Sequence, residues 1–147
     1  MNFKTLKVIL ILFLFNSFAF SQSKLLIPME TSGQTNHLKA YGIAYRFLLE
    51  GGELDWLLNY KGGAFMYSYS SRIENECKSK GVSYELLDGT AAARVYATVK
   101  DENNNMEIIR LEKVAKIAVY VPPNALPWDD AVQLVLDYAE IPYQKLW

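Results

Sequence analysis

The sequence has one cysteine, Cys77, and one histidine, His37. The first count excludes an internal disulfide and any multi-cysteine metal site, and the second excludes a His-rich one. No metal and no cofactor is therefore expected, and stability has to come from packing. Charge of one sign is also scarce. The formal net charge is −1, and the lysines and arginines are scattered instead of clustered, which argues against nucleic acid as a partner. The chain contains no Gly-x-Ser-x-Gly or Gly-x-Cys-x-Gly elbow, no Walker loop and no dinucleotide fingerprint. The familiar catalytic constellations are thus absent.

What is present begins with an export signal. Lys4 and Lys7 supply a positive start, and Val8 to Phe20 form an apolar stretch broken only by Asn16 and Ser17. Ala19 and Ser21 are the small residues a signal peptidase reads, so residues 1–21 are expected to be removed and Gln22 to be the mature N-terminus. About 13 apolar residues fall short of the roughly 20 that cross a bilayer, and no transmembrane anchor is expected after cleavage. An exported protein, periplasmic or extracellular, follows. Without Lys4 and Lys7, 13 basic residues face 16 acidic ones. Residues 22–147 suffice for a single α/β domain with a hydrophobic core.

Short apolar runs alternate with helical stretches, the order of βαβ units and a parallel sheet. Leu25 to Met29 reads as the first strand. Leu38, Tyr41, Tyr45 and Leu48 recur at helical spacing and define an apolar face, with Gly51-Gly52 ending that helix. Leu54 to Asn59 reads as the second strand, followed by the loop Lys61-Gly62-Gly63. A helix from Ser70 or Ser71 through Lys80, stopped by Gly81, leads to a third strand over Val82 to Leu87. Thr90 to Val95 reads as another capped helix, and residues 101–116 carry no assignable pattern. Ile117 to Val121 reads as a strand covered on both faces. A helix with Ala131, Leu134, Val135 and Tyr138 buried and a fifth strand over Tyr143 to Trp147 complete the pattern. The expected fold is an open, mostly parallel sheet with helices on both faces, flavodoxin-like or class I glutamine amidotransferase-like. The apolar final strand, with no helix after it, is expected to belong to a domain that continues, making residues 22–147 an N-terminal portion. The first and last units share their order of strand, turn, helix and strand, as any two βαβ units do.

Cys77 shares a helical face with Ile73 and fits a core side chain better than a nucleophile. Gly51-Gly52 precedes a strand and cannot cradle a phosphate at a helix start, and Gly62-Gly63 suits a tight turn. Tyr41, Tyr45, Tyr60, Tyr67 and Tyr69 cluster near the first two strand ends, where they serve as core or rim or line a cleft. In a parallel sheet the ligand lies at the carboxyl ends of the strands. That places the expected site at Glu30, Asn59, Lys61 and Asn124, with His37 and Asp129 at the following helix starts.

The blocks Leu26-Ile27-Pro28-Met29, His37 to Tyr45, Asp55 to Gly63 and Pro127 to Ala131 carry a resemblance. Together they resemble the opening of an exported protein family of Bacteroidota whose members commonly bear the name asparagine synthetase B. The similarity spans essentially all of residues 22–147, and because that family runs longer, it too implies an N-terminal portion. The sequence departs from the chemistry of that name. A glutamine-dependent synthetase needs a cysteine after the initiator methionine, where Asn2 stands here. It also needs a Ser-Gly-Gly-x-Asp-Ser loop, which Gly51 to Asp55 does not supply. The functional expectation is accordingly a module that binds a small molecule, sugar or peptide. The alternative is an amidotransferase-like or hydrolytic enzyme whose nucleophile lies in a C-terminal part beyond these residues.

Overall fold

The computed structural model describes residues 23–124 and 130–147. The expected signal segment, and Asp129 of the expected site, lie outside the described residues. Lys24–Ile27 forms β1, Leu54–Leu58 β2, Ala64–Ser68 β3, Glu85–Leu87 β4 and Glu107–Leu111 β5. These five make one sheet in the order β4-β1-β3-β2-β5. Every pairing in it is antiparallel.

The expected open, mostly parallel sheet of flavodoxin-like or amidotransferase-like kind is therefore overturned. Two segments that the pattern did not assign to strands account for the difference. Ala64–Ser68 follows β2 after only five residues, and so short a connection can only fold back antiparallel, because a parallel return needs a long crossover. The hairpin is closed by the amide of Ala64, which donates to the Tyr60 carbonyl over 2.9 Å. Glu107–Leu111, inside the unassigned stretch, then pairs antiparallel along the other edge of β2. Strands β1 and β2 still point the same way, but β3 lies between them. With Ser71–Lys80 (α2) and His37–Leu49 (α1), the first four strands form the βαββαβ, ferredoxin-like arrangement. Helix α3 (Gly89–Lys100) and β5 extend it.

Alternation along the strands builds two cores. Leu25, Ile27, Leu54, Phe65 and Tyr67 face α1 and α2, meeting Ala40, Ile43, Ala44, Leu48, Ile73 and Cys77. Leu26, Leu57, Ala64 and Met66 face α3, meeting Val95 and Val99. Local signals explain the helix boundaries. The Asn36 side chain accepts from the amide of Lys39 at the start of α1, and Asp88 does the same for Ala91 in α3. Gly81, left-handed at φ 65°, stops α2.

Parallel pairing occurs in a second, two-stranded sheet of β6 (Ala118–Tyr120) and β7 (Gln144–Leu146). Helix α4 (Ala131–Ala139) joins them. The expectation that β6 is covered on both faces fails, since Ala118 and Tyr120 are exposed. The expected buried face of α4 is also corrected. Ala131, Leu134, Val135 and Tyr138 are exposed, while Gln133 and Ala139 are buried. The reason is that α4 packs on α1 and not centrally over its own strands. That contact is close: a Cβ on Gly42 would lie 1.9 Å from the Ala139 carbonyl oxygen, so only glycine admits α4 there.

Candidate functional site

Because β1 and β2 run the same way, the ends of both reach one edge of the main sheet, together with the starts of β3, β4 and β5. Expected site residues gather along this rim. Lys61 pairs with Glu85 at the head of β4. Burial alone would lower the Lys61 ammonium, but the hydrogen bond and charge of Glu85 outweigh it and hold it above its ordinary value, with Glu30 adding a weaker pull. His37, the first residue of α1, places Nε2 3.2 Å from the Met29 carbonyl. The Asn59 amide points the other way, donating to the carbonyl of Asn105 over 2.7 Å. Asn124 is an exposed turn residue beyond Val121-Pro122-Pro123, following β6 of the second sheet and not a strand of the main one.

Backbone geometry shapes this edge. Asn59, Lys61, Gly62 and Gly63 all have positive φ, at 60°, 44°, 76° and 91°. Gly62 permits the loop to press on the preceding one: a Cβ there would meet the Met29 carbonyl and the Glu30 amide at 2.6 Å. The amide of Met29 accordingly donates to the Lys61 carbonyl over 2.8 Å. Gln34, fully buried, pins the corner. Its amide nitrogen donates to the carbonyls of Pro28 and Ser83, and its oxygen accepts from the amides of Asn36 and Ser83. Gln34 carries no signal in the sequence, because a buried glutamine is visible only when its partners are. His37, Asn59 and Gln34 thus bond to nearby backbone groups, and Lys61 to Glu85.

A different concavity is open. On the α1 face of the sheet, Tyr41, Ala44, Tyr45 and Leu48 of α1, Trp56 and Phe65 of the hairpin, Leu111 of β5 and Ile141 line a cleft of about 250 Å³. Tyr41 meets Phe65 edge to face, with ring centroids 5.7 Å apart. Two polar tips of its aromatic walls are engaged by residues that do not line it. Trp56 Nε1 donates to the Gly63 carbonyl over 3.0 Å, and the Tyr45 hydroxyl donates to the Ala115 carbonyl over 2.8 Å. What remains facing inward is carbon. Tyr41 and Tyr45 belong to the face the helical spacing picked out, and they flank the buried stripe of Ala40, Ile43 and Ala44 instead of forming it. Phe65 and Leu111 went unrecognised because their strands did.

Cys77 is fully buried, and burial followed by the charge of Glu76 pushes its thiol up to about 12, so it is a packing group and no nucleophile. Among the described residues, no group of three or more His, Cys, Asp or Glu side chains is placed to hold a metal ion, and no helix is long and apolar enough to cross a membrane. Comparison with protein-family models, with curated proteins and with solved structures finds no match.

Proposed function

We propose that this chain acts as a binding module and that its ligand, a peptide or small molecule, inserts an aromatic or branched aliphatic group into the cleft between α1 and the β2–β3 hairpin. The observation that supports this most directly is the engagement of Trp56 Nε1 and the Tyr45 hydroxyl by residues that do not line the cleft. A cavity walled by carbon rewards apolar groups and gives nothing to hydroxyls, which would lose water without gaining partners. A sugar is therefore a poorer occupant than a phenyl ring or an isobutyl group. The buried, high-pKa thiol of Cys77 supports a binding role over nucleophilic catalysis by this part of the chain.

The test uses p-cresol as probe and the indole N–H resonance of Trp56 as reporter, with glucose as the polar comparison. p-Cresol should shift that resonance saturably and glucose should not. Removing the rim ring by Tyr41→Ala, or placing a charge in the wall by Leu111→Glu, should weaken p-cresol by about tenfold or more. A linear, unsaturable shift, or equal affinity in both variants with the resonances of β1 unmoved, defeats the reading.

A further inference from the structure

Three cations of the α1–α2 layer converge on one carboxylate. Lys39 Nζ lies 2.7 Å from Glu140 Oε1, while Lys80 Nζ and Arg46 Nη1 lie 2.6 and 3.0 Å from Oε2. Glu140 is the residue just after α4, 60 or more positions away in sequence from each cation. The cationic side chains are 17–21% exposed, whereas Glu140 is 45% exposed. The receptor is thus set into the layer and the carboxylate is laid over it. Arg46 is steadied from behind by Glu76, whose carboxylate accepts from Nε over 3.1 Å. Lys39 also lies 4.7 Å from the centre of the Tyr138 ring.

The charges do not balance: three cations converge on the single negative charge of Glu140, with Lys80 and Arg46 both on Oε2. Glu140 also adopts φ 59°, a left-handed conformation that glutamate enters at a cost. With Glu140 withdrawn, the one acid among the described residues still paired with these cations would be Glu76, and it pairs with Arg46 alone. A tetrahedral oxyanion would give each donor an oxygen of its own and bring a second negative charge. Seating Glu140 has a further effect, because the next residue, Ile141, is a wall of the apolar cleft. The amide of Ile141 donates to the Leu136 carbonyl over 2.9 Å, fixing it to the end of α4.

We propose that Lys39, Arg46 and Lys80 form a binding site for a small oxyanion of phosphate or sulfate chemistry, that Glu140 fills it as a built-in competitor, and that displacement of Glu140 frees the Ile141 wall of the cleft. The anion site does not depend on what the cleft binds.

The experiment titrates sulfate, and separately phosphate, at constant ionic strength against the full chain and against Glu140→Gly. Glycine takes φ 59° without strain, so this variant removes the carboxylate and keeps the turn. Glu140→Gln serves as the second variant if the first is poorly folded. Melting temperature and the methyl resonances of Ile141 are followed. The variant should bind sulfate saturably and on the order of tenfold more tightly than the parent, having lost its internal competitor. Adding Lys39→Ala and Lys80→Ala to it should abolish saturation, and in the parent chain excess sulfate should shift Ile141. Equal affinity in parent and variant would overturn the proposal. So would saturation that survives loss of both lysines, or an effect that chloride reproduces at matched ionic strength, which would be screening alone.

Discussion

The Tyr96 hydroxyl donates to Asp55 Oδ2 over 2.5 Å, joining α3 to the middle of β2. The other carboxylate oxygen accepts from Arg110 of β5 over 2.9 Å. Asp55 is the one buried charged residue among the described residues, and alternation along β2 turns it toward α3 while Trp56 turns toward the cleft. Burial and then the hydrogen bond to Asp55 hold the Tyr96 phenol well above its ordinary range.

Tyr96→Phe keeps the ring volume and deletes that donor from a buried carboxylate. It should destabilise the protein by about 1–3 kcal/mol, the usual loss for a hydrogen bond to a charged group. Urea unfolding followed by tryptophan fluorescence measures it. A midpoint unchanged from the parent would mean that water replaces the phenol at no cost.

The same substitution at Tyr67 should act in the opposite direction. Tyr67 is fully buried, and its hydroxyl has no hydrogen-bond partner among the described residues. Burial, with the nearby Cys77 and Glu76, raises the phenol well above its ordinary range. Tyr67→Phe removes a polar group buried without compensation, and should be neutral or stabilising by about 1–2 kcal/mol. The edge-to-face contact with Phe47, at 5.3 Å, survives in the variant. Destabilisation in the urea melt would reveal a partner for the hydroxyl.

Acid should loosen α4 from α1. Hydrogen bonds from Lys39 and Lys80, against the effect of burial, draw the Glu140 carboxyl from 4.5 down to about 2. A carboxylate whose pKa is lowered on folding stabilises the fold above its unfolded value, and that contribution is lost as the pH falls through the folded value. The window therefore runs from pH 4.5 down to about 2. Half-exposed as Glu140 is, solvent screening trims the size of the effect. Melting temperatures of the parent and of Glu140→Gln should differ at pH 6 and converge across that window. Parallel curves would show that Glu140 contributes nothing to the acid limb.

Much of the element order was legible, because caps and stops are local. Gly81 ends α2 where the sequence placed the stop, and Leu25 to Ile27 and Leu54 to Leu58 lie within the expected strands. Strand direction was not legible in the same way. Parallel and antiparallel neighbours draw on the same apolar residues, and the decision rested on whether Ala64 to Ser68 is a strand. Recognising its run after Gly62-Gly63 as the second arm of a hairpin would have settled the topology. The rim residues Glu30, Asn59 and Lys61 share an edge because β1 and β2 point the same way, a relationship that survives the change of sheet. The cleft was hidden for a different cause: it is assembled from α1, the hairpin, β5 and Ile141, and no window of sequence contains it.

The place of β1 within the sheet also bears on how the chain folds in time. Its two neighbours are β3 and β4, whose residues pair with Lys24 to Ile27 across a long stretch of chain. Until the ribosome has added Leu87, roughly sixty residues after Ile27, one side of Leu25-Leu26-Ile27 has no partner strand. At ~5–20 residues per second that is an interval of several seconds. The β2–β3 hairpin, which closes over five residues, can form first and supply a template edge. The first strand made thus waits longer for its second neighbour than β2 waits for β5, and during that interval its free edge is open to capture by a chaperone or by another unfinished chain.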